Sequence, residues 1–241
     1  MRLSTALISL TLATALASPA FAAGTMQMSG HGEIMAKPDT AYVTSGVTSQ
    51  AATAKDALAA NTADMTALIG VLKDAGVAEE DIQTSGFAVN PNYIYSDQRD
   101  ANGYQLPPKI SGYTVTNSVT VHVRDLSILG TMLDKEVSVG ANTINGINFA
   151  VEDPSALYDQ ARKAAFVDAK GKADLYADAA GVGLGAIENI SENQGYTQPP
   201  QPYLYKATAA AADRSAPVPV EAGQLTFSID VAITWDLGAA K

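Results

Sequence analysis

The chain has 241 residues, 47% of them hydrophobic and 17% charged, with a formal net charge of −10 and no cysteine. This is a globular composition; it excludes a disulfide scaffold, a cysteine-bound zinc or iron–sulfur centre, a thiol nucleophile and lipid attachment through sulfur. The excess of acid over base also excludes a partner held by phosphate neutralisation, so no nucleic acid is expected.

Met1-Arg2 carries one positive charge, Leu3 to Ala17 is uncharged and mostly apolar, and Ser18-Pro19 precedes the small-x-small pattern Ala20-Phe21-Ala22. That is the layout of a secretory signal peptide cleaved after Ala22. The apolar run is shorter than the roughly 18 residues a spanning helix needs, and no later segment meets that length. The expected organisation is residues 1–22 as signal and 23–241 as a single exported, periplasmic domain. A cysteine-free chain suits an oxidising compartment.

Met26, Met28, Gly30, Gly32, Ile34 and Ala36 alternate with mainly polar neighbours, and Tyr42 to Thr48 reads as a second strand beyond the Pro38-Asp39 turn signal. These two runs are expected to form a hairpin. From Thr53 to Ala75, Leu58, Met65, Leu68, Ile69 and Leu72 fall at helical spacing, with Thr53 and Asp56 placed as a cap and Gly76 as a stop. An extended stretch follows through Ile82, Phe87, Val89, Tyr93 and Tyr95. Ser96 to Lys109 reads as the loop of a long hairpin. The return strand puts Tyr113, Val115, Val119, Val121 and Val123 on one face, and Thr114, Thr116, Ser118, Thr120, His122 and Arg124 on the other.

Asp125 is placed to cap a short helix through Leu126, Leu129, Met132, Leu133 and Val137, ending at Gly140. Ile144, Ile147, Phe149 and Val151 suggest a strand with a bulge or bend at Gly146. Asp153-Pro154 opens the longest helix, to about Ala180. Alanine recurs there at 161, 165, 169, 173 and 177, which would let the helix lie close to a sheet or another helix. Ala75-Gly76-Val77 recurs as Ala180-Gly181-Val182, a hint of internal duplication. Ile187 to Glu192 reads as a strand, and residues 194–223, with five prolines and the run Ala209 to Ala212, as a Pro/Ala-rich mobile loop. Leu225, Phe227, Ile229, Val231, Ile233 and Trp235 alternate inward along the last strand.

The order β-β-α-β-β-α-β-α-β-β predicts an α+β fold, with a largely antiparallel or mixed sheet and three helices packed on it.

Motifs that carry known chemistry are missing. The two histidines, His31 and His122, are far apart and form no His-Glu-x-x-His pattern. Gly30-x-Gly32 opens no helix, and there is no nucleophile elbow, Walker loop or EF-hand loop. His122 is expected to be an exposed strand residue, and His31 to sit where flanking glycines permit tight packing or a bulge. Glu79-Glu80-Asp81 reads as a solvated acidic turn. No catalytic, cofactor-binding or metal-ligating residue is assigned and no cofactor is expected. A hydrolase using carboxylates alone would have to draw on Glu33, Asp39 or Asp125. The aromatic side chains gather in two places, Tyr93, Tyr95 and Tyr104 around the first loop and Tyr196, Tyr203 and Tyr205 in the Pro-rich segment. These are the candidate interaction loops, since tyrosine beside proline presents rigid amphipathic surface.

The ordered set Gly30-His31-Gly32-Glu33, Lys37-Pro38-Asp39, Asp81-Ile82-Gln83-Thr84, Val121-x-Val123-Arg124-Asp125-Leu126, Gly146-Ile147-x-Phe149, Ala161-Arg162-Lys163-Ala164-Ala165 and Ile229-Asp230-Val231-x-Ile233-Thr234-Trp235 resembles the SIMPL-domain family in its bacterial periplasmic branch. The resemblance spans nearly all of the chain after the signal. It implies an α+β fold with a duplicated element, assembly into ring-like or channel-like homo-oligomers in some relatives, and a link to oxidative stress tolerance. It implies no agreed mechanism and no catalytic residues. The family usually carries Glu where His31 stands. A self-associating, non-enzymatic protein is therefore the leading expectation, with a small-molecule or peptide binding module as its rival.

Overall fold

The computed structural model describes residues 24–195 and 218–240. Seven strands and three α-helices follow one another in the expected order: β1 (Thr25–Ala36), β2 (Thr40–Ala51), α1 (Ala54–Asp74), β3 (Ile82–Ile94), β4 (Lys109–Val123), α2 (Leu129–Ser138), β5 (Thr143–Ala150), α3 (Ser155–Ala180), β6 (Val182–Gly195) and β7 (Leu225–Ala240). Single 3-10 turns precede β3 and α2. The fold is α+β and every strand pairing is antiparallel.

The strands divide between two sheets, β1-β7-β6 and β3-β4-β2-β5. This corrects the expected β1–β2 hairpin. β1 pairs with β7 from Thr25↔Asp236 to Ala36↔Leu225, while β2 lies between β4 and β5. Lys37-Pro38-Asp39 is a crossing between sheets rather than a hairpin turn. It is held by the Asp39 amide donating to the Ala150 carbonyl at 3.1 Å. The Asp39 carboxylate accepts the Glu152 amide at 2.8 Å, so the two crossings, 37–39 and 151–154, run tied together.

α1 and α2 cover one face of the four-stranded sheet. Thr53 accepts the Asp56 amide as N-cap, as the sequence predicts. The buried stripe of α1 is Ala57, Asn61, Met65, Leu68 and Leu72; Leu58, expected on that face, is exposed. Asn61 Nδ2 donates to the carbonyls of Val47 and Val115 and so joins the helix to two strands. α2 buries Leu129, Met132, Leu133 and Glu136, and Val137 faces out. Val43, Val47, Val119, Val121 and Val123 complete this core, and Val220 of the segment before β7 packs against it.

α3 lies on β1 and β7. Ala161, Ala165, Ala169 and Ala173 are fully buried against Ile229, Val231, Ile233 and Trp235. Gly30 and Gly32 make this approach possible. A β-carbon at either would stand 2.0 Å from a helix carbonyl oxygen, that of Ala165 or Ala161. The Asp153 carboxylate accepts the Ser155 amide at the start of α3, and Gly181 ends it at φ 69°. β6 runs on to Gly195, so residues 194 and 195 of the expected loop belong to the strand, and residues 196–217 of it lie outside the described residues. Tyr196, Tyr203 and Tyr205 lie outside the described residues.

Candidate functional site

A cluster of ionic side chains, two nearly buried and two half-exposed, gathers where the second crossing leaves the four-stranded sheet. β4 carries His122 on its polar face, and Arg124 follows on the same side just past the strand end, two residues on, as the alternation requires. The register places His122 opposite Tyr42 of β2. The rings stack at 4.4 Å between centroids and 7° between planes. Under that cover the His122 side chain is only 11% exposed, which corrects the expectation of an exposed strand residue.

Carboxylates flank the imidazole on both sides. Nε2 lies 3.0 Å from Glu152 Oε2, off the line of a hydrogen bond, and Nδ1 lies 3.4 Å from Asp81 Oδ1. Arg124 closes the set. Its Nε and Nη2 donate to the two Asp81 oxygens at 2.8 and 2.9 Å, and Nη1 donates to Glu152. A planar guanidinium matches a carboxylate in this two-point manner. The Arg124 bonds hold the Asp81 carboxyl below the usual carboxylate range against the opposing effect of burial. Asp81 is thus a nearly buried partner rather than a solvated turn residue. A shallow depression of about 140 Å³ beside it is lined by Gly76, Val77, Ala78, Asp125 and Ile128. This clasp ties the crossing before α3 to the sheet.

A second acid is more deeply buried. Glu136 accepts Ser45 Oγ at 2.5 Å, while its Oε1 has no hydrogen-bond partner. Burial pushes its carboxyl above the usual range, partly offset by Ser45. Glu136 stands at the next position of the stripe Leu129, Met132, Leu133, and that spacing is the sequence signal by which it could have been found.

His31 sits on the open face of β1, its Nδ1 2.8 Å from Asp230 Oδ1 and Nε2 3.7 Å from Glu33. The Asp230 bond raises its proton affinity above the ordinary histidine value. The flanking glycines serve helix packing, on the other face. Asp39, Glu33 and Asp125 each have a separate setting: Asp39 holds the crossings, Glu33 neighbours His31, and Asp125 accepts the Ser127 amide. The structure does not bring the three together. Among the described residues, no three His, Asp or Glu side chains are grouped to hold a metal ion.

Of the six tyrosines expected in the interaction loops, Tyr93, Tyr95 and Tyr104 are described, and all three are exposed. Beyond Tyr113, where the β2 pairing ends, β3 and β4 continue as a two-stranded ribbon to Ile94 and Lys109. Tyr93, Ile94, Tyr95, Tyr104 and Ile110 stand at its end with 50–75% of their surfaces exposed. The Asp100 carboxylate accepts the amides of Asn102 and Tyr104 and so fixes the turn. A cavity of about 340 Å³ there is lined by Ile94, Leu106, Pro107, Lys109 and Ile110.

Two helix-covered antiparallel sheets joined by a clasped crossing define an α+β protein with exposed apolar side chains at the end of one hairpin. The chain belongs to the SIMPL family: the family model, described as a protein of unknown function (DUF541), matches residues 26–235. It is 38% identical over 216 residues to the 26 kDa periplasmic immunogenic proteins of Brucella melitensis biotype 1 and Brucella abortus, covering 87% of this chain and 83% of each relative. It is 27% identical over 209 residues to the uncharacterized protein YggE of Escherichia coli K12, covering 87% of this chain and 81% of that one. No helix of the described residues is long and apolar enough to cross a membrane.

Proposed function

We propose that this is a self-associating, non-catalytic protein of the periplasm that acts in envelope or oxidative-stress homeostasis. The observation that carries the reading is the exposed apolar surface of the β3–β4 hairpin. Seven large apolar side chains, Phe87, Val89, Tyr93, Ile94, Tyr95, Tyr104 and Ile110, are 40–75% exposed along one hairpin. Scattered exposed apolar residues need no explanation, but seven on one hairpin support a surface that another chain covers. The signal-like residues 1–22 and the name of the Brucella relatives support the compartment. The stress role rests on the family resemblance.

The test is size-exclusion chromatography with light scattering on protein exported with its own leader and purified from the periplasm. The reading expects a mass several times that of one chain, reduced when Tyr93, Tyr95 and Tyr104 are replaced by Ser. A monomer at micromolar concentration contradicts it. For the stress role, a strain lacking the protein should be more sensitive to peroxide, and the Ser variant should fail to restore it.

The cavity at the ribbon tip favours a second reading. Its 340 Å³ lies in the range of sites that take small molecules. A compound from periplasmic extract that raises the melting temperature of the wild type, but not of an Ile94→Asp variant, would support a binding module.

A further inference from the structure

Among the described residues, each sheet ends in two strands with a neighbour on one side only, and the four edges differ in how they are guarded. An unpaired edge presents free N–H and C=O groups, and proteins that stay monomeric block such edges with charges, bulges or covering side chains. β1 is blocked. Its sequence carries His31 and Glu33, and α3 reaches over its outer side: Asp168 accepts the His31 amide at 2.9 Å, and Lys172 donates to the Ser29 carbonyl at 3.1 Å. β6 carries Glu188 and Glu192, and its register breaks at three places.

The edges of the four-stranded sheet are guarded less: β3 holds Pro91 and shifts register at Thr84/Gly86 and Asn92/Tyr93, and β5 shifts once opposite Val43/Ser45, but neither edge carries a charge. β3 (IQTSGFAVNPNYI) and β5 (TINGINFA) hold no charged residue, in a chain whose net charge of −10 otherwise repels its own copies. They are also the two ends of the same sheet. β3 and β4 are antiparallel, as are β4 and β2, and β2 and β5, so β3 and β5 run in opposite senses. A neighbouring copy in the same orientation therefore offers its β5 antiparallel to β3, the sense in which strands pair more commonly. The three-stranded sheet could not do this, because β1 and β6 run in the same sense. Side chains agree with the pairing. Phe87 and Val89 lie opposite Asn117 and Val115, and Ile147 and Ile144 opposite Val43 and Ser45, all on the helix-covered face. Phe87, Val89 and Ile144 are exposed within one copy.

We propose that β3 of one copy pairs with β5 of the next, head to tail, so that the four-stranded sheet continues from chain to chain. This rests on the self-association reading and names its contact. Such an interface is heterologous, and it closes into a ring or extends as a filament according to the rotation between copies. Phe87 would lie beside Ile147 of the neighbour and Val89 beside Ile144, with the Gly146 bend between them.

Two lysine variants of the full chain test it, Val89→Lys on β3 and Ile144→Lys on β5. Light scattering of each alone should give a monomer, and their equimolar mixture should give a dimer, since each variant keeps the edge the other needs. If Ile144→Lys alone still dimerises while Val89→Lys does not, the contact is β3 on β3 and the head-to-tail arrangement is wrong. If both keep the wild-type mass, strand pairing is wrong while self-association stands. A monomeric wild type sinks self-association itself, and this proposal with it. Should either lysine variant fail to fold, a cysteine pair decides, because the chain has no native cysteine. A Val89→Cys, Ile144→Cys double variant should give a ladder of disulfide-linked multimers on a non-reducing gel, and its absence overturns the pairing.

Discussion

Gly30 of β1 lies directly beneath Ala165 of α3, so close that a β-carbon on the glycine would stand 2.0 Å from the Ala165 carbonyl oxygen and 2.6 Å from the Ala169 amide. Both obstacles are helix backbone and cannot swing aside. Gly30→Ala must push α3 off the sheet and should cost about 3 kcal/mol. Gly171, on the same helix, is the control, since a β-carbon added there would meet nothing within 4 Å. Gly171→Ala should stabilise by about 1 kcal/mol, the ordinary helix-propensity gain. Urea unfolding of the two variants measures both.

Glu136 makes stability fall on the alkaline side. Its folded-state value is raised by burial, so its contribution is fully present below the ordinary glutamate range near 4.5 and is lost as pH rises through the raised value. Glu136→Gln removes that proton linkage while leaving an acceptor for Ser45. Melting temperatures measured from about pH 5 to 9, the span above the ordinary glutamate range, should fall more steeply for the wild type than for Glu136→Gln.

His31 gives a smaller effect of the same sign. The Asp230 bond raises its folded value, so its stabilisation is present below about 6.5 and fades as pH rises through the raised value. The pair is well exposed, and the effect on stability is correspondingly small. The direct reading is an NMR titration of the ring. Asp230→Asn should lower the His31 midpoint, and an unchanged midpoint would remove Asp230 as the cause.

With no cysteine, methionine is the sulfur left to oxidise. Met35 is 62% exposed, Met26 and Met28 are partly covered, and Met65 and Met132 are buried. Graded peroxide followed by peptide mass spectrometry should find sulfoxide at Met35 first and at Met65 and Met132 last. Early oxidation of Met132 would contradict the packing of α2.

Period and punctuation make the element order legible in the sequence. Thr53, Gly76, Asp125 and Gly181 all act at helix ends as their chemistry suggests. Alternation reports the face of a strand but not its neighbour. Pro38-Asp39 therefore reads as a hairpin turn, although β1 finds its partner in β7 at the far end of the chain. The same limit hides the site. Alternation puts His122 on the correct face, but Tyr42, Asp81 and Glu152 reach it from three other segments. Tyr93, Tyr95 and Tyr104 are legible as residues of one hairpin end because the strand and loop signals on either side of them are local in sequence.

Hydrogen–deuterium exchange at single-residue resolution on the wild-type assembly tests the account most directly. If β3 and β5 are paired between copies, their outward amides exchange slowly in the assembly and fast once it is diluted to single chains. If those amides exchange fast in the assembled protein while β4 stays protected, the edges are open and the strand-paired assembly is contradicted.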